Sequence, residues 1–537
     1  MRLKSLHASG FRSIQELSVS FEPGLTTFVG ENNVGKSGIR EAGSKVIQLG
    51  ASRGIGFAVP DRPYGQIGPA HLELNIELAD DETREWLFLP LTTGQNPSLS
   101  PGIGEWLSTM GNDVSLSVTE PSENRGVYMV WGELHFLRER ISAGPIKQRT
   151  NNGSWVDATK QGAQFRRTGQ YTTNGDVTQG LCANIAARFR VFDEFRSRAT
   201  AGQRSGELES FGGPETASVL LNLKNHPDRL QQRRYREIGE AFKSFFPRFE
   251  LDAVETEPGG GPAELLFYEE GHEAPLSLQA LSSGVNQILT LVTNLVARSG
   301  LIIFIEHPEL HLHPHAIRSV ESLIRKSSAA NQIVVISHDP RFVDPESPRA
   351  LRRVWLTSHG TKVLAPPENL SAAQAGQFRT ALRDLGGREL VFARCVLLVE
   401  DESQQNFILG VAAVLGQDLD ATGISVVKVD GETGYKRYFS LLNALGIPHV
   451  ALKDKHWGNK KTYPPGRFFS FGMELEDYQD DHGLAEKREA QKARLGHGSK
   501  ERVQRPLAES LTPDEVPELF SELLQAAVGL ATGEPSG

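Results

Sequence analysis

The sequence predicts an α/β protein built from two successive α/β units. The first unit is indicated by a glycine-rich GxxxxGKS loop that begins at Gly30, directly after an apolar stretch. Two further apolar stretches of strand length lead to Glu306 and His338. The second unit is indicated by apolar runs that lead to Glu400 and Asp454. Short apolar runs separated by helical patterns are typical of parallel sheets with crossover helices.

The chain is long enough for about two to four domains, and its composition is that of a globular protein. It has 537 residues, of which 39% are hydrophobic and 23% are charged. The net charge of −9 excludes a uniformly basic protein, so any contact with DNA would use local patches or metal ions. Cys182 and Cys395 make neither a disulfide framework nor a zinc cluster. The N-terminus lacks an apolar core, so we expect no secretory signal and a cytoplasmic protein. We also expect no membrane span, because no window of about 18 residues is uninterruptedly apolar.

The loop at positions 30–37 predicts binding of a nucleoside triphosphate, ATP. Leu25–Val29 before it reads as a strand, and Ser37 begins a helical pattern. In such a strand–loop–helix element, backbone N–H groups point at phosphate oxygens and the helix N-terminus favours negative charge. Lys36 would reach the β- and γ-phosphates, and Ser37 would hold Mg²⁺. The predicted nucleotide-binding residues of the loop are Gly30, Asn32, Asn33, Val34, Gly35, Lys36 and Ser37.

Two further strand ends of the first unit carry groups suited to a nucleotide and its metal ion. Ligands of open α/β sheets bind at the carboxyl ends of the strands. Glu306 follows the apolar run Leu301–Ile305 and is predicted to bind Mg²⁺ through water. His338 comes after the run Ile333–Ile336 and could sense the γ-phosphate.

This ordered set of motifs resembles the ABC-type ATPases, including their SMC and RecF relatives. Leu281–Gly284 then looks like the signature loop of that family. The resemblance implies a dimer that sandwiches two ATP molecules, with Ser282, Ser283 and Gly284 of one subunit closing on the ATP of the other. Taken alone, a Ser-Ser-Gly segment is more often a plain turn.

His307 departs from the family pattern. Relatives usually carry a glutamate there as the general base, whereas this chain reads Glu-His-Pro-Glu at positions 306–309. A neutral imidazole can accept a proton, so we assign His307 as the base and expect slow ATP hydrolysis, with Glu309 as the alternative base. The four histidines between positions 307 and 315 could also be metal ligands, but their spacing and the family pattern favour the start of a helix near the nucleotide.

The second unit carries acidic residues after its strands. Glu400 follows the run Cys395–Val399, and Asp454 comes after the run Pro448–Leu452. This arrangement resembles a Toprim domain, a Rossmann-like fold whose first motif is a strand followed by Glu and whose second motif is a strand followed by DxD. Carboxylates from several strand ends would meet at one edge of the sheet, where a few of them, with water and phosphate, suit Mg²⁺.

The Toprim resemblance implies a catalytic metal site for phosphodiester cleavage, in which paired ions would clamp the attacking and leaving oxygens. Glu400 and Asp454 would be its central residues, and Lys500 would stabilise the transition-state phosphate. Gln404 stands where relatives often have a second Glu, and His456 stands where DxD has its second Asp. A histidine ligand suits Mn²⁺ better than Mg²⁺. The metal ligands expected from the resemblance are Glu400, Asp454, His456, Glu474 and Glu476.

We predict an ABC/RecF-like ATPase domain over residues 1–365, with a helical insertion at about 150–250 that could serve dimerisation. A linker over 366–390 and a Toprim domain over 391–537, with a basic and helical C-terminal extension, would follow. These boundaries rest on a proline-containing stretch after residue 364 and on the new α/β pattern that begins near residue 391.

The segment between the phosphate loop and the signature segment is less regular. Residues 90–180 read as loops and weak strands, residues 181–250 read as helical, and the glycine- and proline-rich stretch 257–262 reads as a hairpin or linker. Two interpretations of the arginines in the helical part stay open with equal weight: a solvated or subunit-contacting helix face, and a DNA contact. These arginines are Arg188, Arg190, Arg196, Arg198, Arg204, Arg233, Arg234 and Arg236.

An ATPase followed by a Toprim domain resembles the OLD-family nucleases, a group that includes the large subunit of the Gabija antiphage system. The resemblance covers about residues 1–80, 215–345 and 390–480. It implies ATP-regulated, Mg²⁺- or Mn²⁺-dependent cleavage or nicking of double-stranded DNA and a role in antiphage defence. It also implies a homodimer or larger homo-oligomer and a UvrD-like helicase as a partner.

Two other functions stay open at this point. One is a non-cleaving dimeric ATP sensor that binds DNA or a partner, which His307, Gln404 and His456 favour. The other is a RecF- or SMC-like DNA repair ATPase. A long heptad pattern is missing from residues 80–260, which counts against SMC, and the carboxylates at 400–477 count against a plain RecF.

Overall fold

The computed structural model describes two compact units. The first comprises Met1–Phe28, Asn32–Phe342 and Val354–Val363, and the second comprises Val29–Glu31, Val343–Arg353 and Leu364–Gly537. The predicted boundaries at 365 and 391 stay predictions. The described residues are 1–51, 70–88, 110–119, 127–130, 133–136, 147–157, 177–192, 213–256, 262–429, 431, 434–455, 467–496 and 499–533.

The first unit contains two large sheets with helices packed against them. Its strands are β1 (Arg2–Phe11), β2 (Ile14–Ser20), β3 (Leu25–Val29), β4 (His71–Glu77), β5 (Met110–Thr119), β6 (Val127–Val130), β7 (Glu133–Phe136), β8 (Lys147–Thr150), β9 (Trp155–Asp157), β10 (Phe189–Phe192), β11 (Phe249–Glu255), β12 (Ala263–Glu269), β13 (Leu276–Ser277), β14 (Ile302–Glu306), β15 (Gln332–Ile336), β16 (Leu351–Thr357) and β17 (Gly360–Leu364). Its helices are α1 (Lys36–Ala51), α2 (Asp80–Glu82), α3 (Val177–Arg188), α4 (Gly213–Asn225), α5 (Arg229–Phe245), α6 (Ser283–Ala297) and α7 (Pro314–Ser327).

The sheet that positions the nucleotide motifs has the order β10-β14-β15-β3-β16-β17. β10, β14, β15 and β3 pair in parallel. In this register Glu306 lies opposite Ile336, and Ile336 lies opposite Phe28. The phosphate loop, Glu306 and the Ser337-His338 pair therefore follow neighbouring strands at the same edge of the sheet, as the sequence predicts.

The other large sheet has the order β2-β1-β4-β5-β8-β9, and its pairings are antiparallel. Side chains along its strands alternate between the two faces of the sheet, and one face packs in the core. In β4, for example, Leu72, Leu74 and Ile76 are buried. These side chains share a hydrophobic core with Ile39 of α1 and Phe304 of β14. The helix that follows the phosphate loop is thus fixed by apolar contacts to both sheets.

The expectation that residues 181–250 are helical is wrong for 189–192 and for 249–250, where β11 begins. After α3 the chain forms β10, whose four residues are all buried, and it pairs with β14. Apolar residues at every position of a short segment do not show helical periodicity, and strand pairing with β14 decides the outcome. The hairpin expected around 257–262 is confirmed by the antiparallel pairing of β11 with β12, although 257–261 lie outside the described residues.

The strand β10 also changes the interpretation of its arginines. Arg190 is 5% exposed and donates a hydrogen bond to the carbonyl oxygen of Phe189 at 2.7 Å, so a solvated helix face, one of the alternatives left open for it, is wrong. Arg188 forms an ion pair with Glu82 at 3.3 Å. Arg196, Arg198 and Arg204 lie outside the described residues.

The second unit has a four-stranded parallel sheet in the order β19-β18-β20-β21. The first three strands occur where the sequence predicts them, and β21 adds an edge strand. The strands are β18 (Cys395–Val399), β19 (Ile424–Lys428), β20 (His449–Lys453) and β21 (Phe468–Ser470). The helices are α8 (Ala372–Ala381), α9 (Leu385–Glu389), α10 (Glu402–Val414), α11 (Leu419–Thr422), α12 (Gly434–Ala444), α13 (Leu475–Asp481), α14 (Ala485–Arg494), α15 (Lys500–Glu509) and α16 (Glu518–Thr532).

Two hydrophobic cores hold this sheet in place. One contains Leu397 of β18, Phe407 of α10 and Phe520 of α16. The other contains Leu398 of β18 and Tyr435 of α12. Successive residues of β18 therefore point into opposite cores, as expected for a parallel strand that is covered on both faces. Among the described residues, none of the helices is long and apolar enough to cross a membrane.

Candidate functional site

The phosphate loop has the backbone geometry that an anion-binding loop requires. It leaves β3 at Val29 and enters α1 at Lys36. Gly30, Asn33 and Gly35 have positive φ angles of 148°, 61° and 100°. Such left-handed residues turn successive N–H groups towards a common centre, where a phosphate can bind. Lys36 is buried, at 5% exposure, as the first residue of the helix.

Two residues that the sequence analysis missed shape this loop. The Thr361 hydroxyl donates a hydrogen bond to the Val34 carbonyl oxygen at 2.8 Å and also lies 2.8 Å from the Ser13 hydroxyl. A Cβ atom on Gly35 would lie 2.2 Å from Thr361 Oγ1 and 2.6 Å from Ser13 Oγ. Gly35 is therefore required both for its φ angle and for this close approach. The sequence carries no signal for these contacts, because Thr361 is far along the chain from the loop.

The Glu306 side chain, at the end of β14, forms an ion pair with an arginine. This side chain is buried, and Arg40 Nε of α1 lies 3.2 Å from Glu306 Oε1. This ion pair lacks hydrogen-bond geometry, and Glu306 Oε1 has no hydrogen-bond partner within the described part of the chain. Glu306 Oε1 is paired by charge but not by a hydrogen bond, so it can accept one from water bound to Mg²⁺, and the residues present fit a metal–nucleotide complex.

His307 lies in a cluster with Glu309, Ser337 and His338. The His307 backbone has a φ angle of 46°, and its N–H donates to the Ile336 carbonyl oxygen at 2.8 Å. Its ring stacks on that of His338, with 4.9 Å between the ring centroids and 5° between the planes. The loop after β14 is thereby fixed onto the end of β15, and both histidines stand at the same sheet edge as the phosphate loop.

Glu309 organises this cluster. It accepts hydrogen bonds from the Ser337 hydroxyl at 2.9 Å and from the His338 backbone N–H at 3.1 Å, and it lies 3.4 Å from His307 Nδ1. Burial acts to raise the pKa of Glu309, but the hydrogen bonds from His307, the backbone and Ser337 together outweigh it and lower the pKa below its usual value. An ionised Glu309 favours a proton on Nδ1 of His307.

The segment Ser282–Gly284 begins α6, with Ser282 as the N-cap residue and Ser283 as the first helical residue. A Cβ atom on Gly284 would lie 3.3 Å from the carbonyl oxygen of His311. The helix start is therefore packed closely against the loop that follows β14. This contact joins the signature-like segment to the loop that carries His307.

The histidine-rich segment starts a helix, as predicted. His313 is the N-cap residue of α7, and its ring accepts a hydrogen bond from the backbone N–H of His315 at 3.4 Å. The two rings stack with centroids 5.4 Å apart. Among the residues that the structure describes, no group of three His, Cys, Asp or Glu side chains has the geometry to hold a metal ion.

In the second unit, Glu400 and Asp454 follow the adjacent parallel strands β18 and β20. The Asp454 backbone N–H donates to Glu400 Oε2 at 3.1 Å. Gln404 joins them: its Oε1 accepts from the Glu400 backbone N–H at 2.9 Å, and its Nε2 donates to Asp454 Oδ1 at 2.6 Å. These three hydrogen bonds close a ring that fixes both carboxylates at one edge of the sheet.

The carboxylates of this edge interact electrostatically. The pKa of Asp454 is raised to about 7. Burial is the largest cause, and the negative charges of Glu400 and Glu474 add to it. A hydrogen bond from Gln404 acts in the opposite direction. A carboxyl group with such a pKa is one that a nearby cation would stabilise in its ionised form.

Glu476 and Lys500, predicted as a metal ligand and a phosphate-binding cation, are paired with each other. Lys500 Nζ lies 2.8 Å from Glu476 Oε2, and Gln504 Nε2 donates to Glu476 Oε1 at 3.1 Å. Burial lowers the pKa of Lys500, but the hydrogen bond and the negative charge of Glu476 outweigh it and raise the pKa. Glu474 is the N-cap residue of α13.

Among the described residues, Glu400 and Asp454 bring two carboxylates together, and water and substrate phosphate would supply the remaining ligands of a divalent cation. Within the described residues, hydrogen bonds reach Glu400 Oε2 and Asp454 Oδ1, so one oxygen of each carboxylate is left to bind a cation. Oxygen donors of this kind suit Mg²⁺ and Mn²⁺. His456, also predicted as a ligand, lies outside the described residues.

Comparison with known proteins shows the family of the chain. The chain is 31% identical to the Old nuclease of Escherichia phage P2 over 481 residues, which are 84% of this chain and 77% of that protein. It is also 31% identical to the OLD nuclease of Thermus scotoductus over 474 residues, 84% of this chain and 82% of that protein. The chain belongs to the OLD nuclease family. The C-terminal region of the Xanthomonas campestris pv. campestris OLD protein matches 26% of this chain and 97% of its own length at 22% identity, with a TM-score of 0.23.

Family descriptions divide this OLD-family chain in the predicted order. Residues 1–48 match the AAA ATPase domain, and residues 167–344 match the AAA domain described as a putative AbiEii toxin of a type IV toxin–antitoxin system. Residues 391–455 match the Toprim domain of proteins like the overcoming lysogenization defect protein. The predicted fold class, an α/β ATPase domain followed by a Toprim domain, is confirmed.

Proposed function

We propose that this OLD-family chain is an ATP-regulated, divalent-metal-dependent endonuclease that nicks or cleaves double-stranded DNA. The observation that carries the proposal is the hydrogen-bonded ring that fixes Glu400 and Asp454 at adjacent strand ends, in which the described residues bond to one oxygen of each carboxylate. Relatives named nucleases that share most of the chain support it. A plasmid-nicking assay with each divalent metal, with and without ATP, tests it.

In this mechanism the Toprim half holds the metal and the phosphate. Glu400 and Asp454 would bind Mg²⁺ or Mn²⁺, which when bound activates water and polarises the scissile phosphate. Asp454 must lose its proton to serve as a ligand. Lys500, whose ammonium group is held by Glu476, would present positive charge to the phosphate of the substrate strand. His456 as a further ligand would make Mn²⁺ the more effective metal.

The ATPase half would bind ATP and regulate the cut. Lys36 and the backbone of the phosphate loop would hold the phosphates, Ser37 and Glu306 would hold Mg²⁺, and His338 would lie towards the γ-phosphate. Ser282–Gly284 of a second subunit would complete the site, which makes the active form at least a homodimer. A UvrD-like helicase partner and a role in antiphage defence belong to the same proposal.

Substituting His307 by glutamate is expected to raise the rate of ATP hydrolysis several-fold. A carboxylate is the base that ABC-type ATPases commonly carry at this position, whereas the His307 ring is stacked on His338 and aligned by Glu309. The gain is limited because the backbone at 307 has a positive φ angle, which costs about 1 kcal/mol for most residues. Steady-state phosphate release measures the rate.

The control for this substitution is His359→Glu, in an exposed turn of the same unit, which should leave the rate unchanged. A wild-type rate of about 1–10 s⁻¹ would contradict slow hydrolysis. An unchanged rate in His307→Glu, with ATP affinity intact, would point to Glu309 as the base.

DNA nicking is expected to rise with pH through about 7. Without metal the pKa of Asp454 is about 7, so below that pH a proton competes with the cation for this carboxylate. The rise is therefore expected at metal concentrations that do not saturate the site. The pKa of Asp454 in the unfolded chain is about 4, so between about pH 4 and 7 the folded, metal-free protein holds a proton that the unfolded chain has lost. The free energy of unfolding therefore falls as the pH rises through this window. Nicking rates and melting temperatures between about pH 5.5 and 8.5 measure both effects. A rate that is flat across this window would show that Asp454 does not control metal binding.

A second function, a non-cleaving ATP sensor, is favoured by one observation: Gln404 occupies the centre of the acidic edge and donates to Asp454. An amide removes one carboxylate from a site that depends on negative charge. If supercoiled plasmid stays intact with every metal tested while ATP binds, the sensor becomes the better interpretation. A plain repair ATPase is disfavoured because it needs no such carboxylate edge.

A further inference from the structure

The first residues of the phosphate loop belong to the second unit. Val29–Glu31 are part of that unit, whereas Asn32 and the rest of the loop are part of the first. Val29 is fully buried and shares a hydrophobic core with Val396 and Leu398 of β18. The strand end that leads into the loop is therefore packed into the core of the Toprim sheet.

Glu31, the second residue of the loop, is bound by an arginine of the same unit. Arg394 directly precedes β18, and its guanidinium group pairs with both carboxylate oxygens of Glu31, with Nη2 2.8 Å from Oε2. The Arg394 backbone N–H donates to the Gly423 carbonyl oxygen at 2.9 Å, and a Cβ atom on Gly423 would lie 3.0 Å from Arg394 Cγ. The stem of Arg394 is thus packed on the turn before β19, while its charged group holds the loop.

A second, buried arginine binds the segment that contains Arg394. Arg353 lies in the part of β16 that belongs to the second unit and is 6% exposed. It donates to the carbonyl oxygens of Val391 at 3.2 Å and Ala393 at 2.9 Å. Burial lowers the pKa of Arg353 to about 10, and the negative charge of Glu31 acts against this lowering. Glu31 therefore interacts with two arginines, and both of them fix the residues that lead into β18.

Bound ATP would act in opposite ways on the two members of the ion pair. A nucleotide in the phosphate loop brings negative phosphates close to Glu31, so it repels the carboxylate and attracts Arg394. Both effects favour the arrangement in which the carboxylate stays on the guanidinium group. A partly exposed ion pair contributes little to stability by itself, but this one joins the nucleotide loop to the strand that leads to Glu400.

We propose that the Glu31–Arg394 ion pair transmits ATP binding to strand β18 of the Toprim sheet. The proposal rests on the proposed ATP-regulated nuclease, and it names the contact through which the regulation acts. ATP strengthens the pair, and the pair fixes the segment in which β18 begins. By linkage, loss of Arg394 weakens ATP binding and also removes the effect of ATP on this segment.

Hydrogen exchange of residues 390–396, with and without ATP and Mg²⁺, tests this inference on the full chain. ATP should slow exchange of the Arg394 and Cys395 amides, which both donate to the Gly423 carbonyl oxygen. In Arg394→Gln the slowing should be lost. Calorimetry should show ATP affinity about two- to fivefold lower in this variant, because Arg394 no longer balances the charge of Glu31. Glu31→Gln should also lose the slowing, but it should bind ATP no more weakly than wild type.

The matched control is Arg379→Gln. Arg379 is another exposed arginine of the second unit, and it pairs with Glu346 at 2.8 Å. Its substitution should leave both the ATP affinity and the ATP-dependent exchange as in wild type. Melting temperatures without nucleotide show which variants are folded. If Arg394→Gln fails to fold, Glu31→Gln decides, because it removes the same pair from the side of the loop.

Exchange that ATP leaves unchanged or speeds up in wild type would overturn the inference, as would equal slowing in wild type and both glutamine variants of the pair. Plasmid nicking separates this result from the proposed function. If ATP slows exchange through the pair but no DNA is cut, the nuclease proposal fails and the coupling stands. If DNA is cut under an ATP control that persists in Arg394→Gln, the nuclease proposal stands and the coupling fails.

Discussion

Glu400→Ala is expected to reduce DNA nicking at least about 100-fold. Glu400 follows the first strand of the Toprim sheet, and its carboxylate accepts from the Asp454 backbone, so its removal takes away a cation-binding oxygen and loosens the second carboxylate. Substitutions of groups that only support metal ligands already cost about 10- to 100-fold. Asp454→Ala should have an effect of the same size. Conversion of supercoiled plasmid to nicked circles, with Mg²⁺ and with Mn²⁺, measures the loss.

The control for this prediction is Glu402→Ala. Glu402 lies two residues away on α10, but its exposed side chain pairs with Lys428. Nicking should be unchanged in this variant, and ATP affinity should be unchanged in all three. Equal cleavage by wild type, Glu400→Ala and Asp454→Ala would place the nuclease site in another part of the molecule.

The positions of these carboxylates could be predicted because parallel sheets impose a simple rule. Residues that follow neighbouring parallel strands reach the same edge, so short apolar runs at 395–399 and 448–452 were enough to place Glu400 and Asp454 together. The same rule placed Glu306 and His338 beside the phosphate loop. Strand length and apolar content are local properties, and they are visible in a single sequence.

The contacts between side chains could not be predicted in the same way. The approach of Thr361 to the phosphate loop joins segments more than 300 residues apart along the chain. The pairing of Glu476 with Lys500 depends on how α13 and α15 pack, which neither periodicity nor motif spacing describes. Strand β10 was missed for a related reason: its partner β14 lies more than 100 residues later.

The orientation of Gln404 shows why a substituted motif residue has to be judged from its contacts. As a sequence letter, Gln in place of Glu indicates a weakened metal site. In the fold its amide bonds to both carboxylate residues, so it preserves their alignment while it lowers their combined charge.

Lys36→Ala is expected to weaken ATP binding at least about 100-fold while the fold stays intact. Lys36 is the first residue of α1, is buried, and follows a loop in which three residues have positive φ angles. A cation at a helix N-terminus that lies beside bound phosphates makes charge-assisted hydrogen bonds that alanine cannot replace. Calorimetric titration with ATP and Mg²⁺ measures the affinity, and the melting temperature without nucleotide shows whether the variant is folded.

Lys45→Ala provides the matched control, because Lys45 lies on the same helix but more than two turns beyond the phosphate loop. It should bind ATP as wild type does, which separates the loss of one specific cation from a general change in charge. Unchanged ATP affinity in Lys36→Ala would refute the nucleotide site. If ATP binding is lost and nicking by the same variant no longer responds to ATP, regulation acts through this loop. If nicking still responds to ATP, the nucleotide that controls the cut is bound elsewhere.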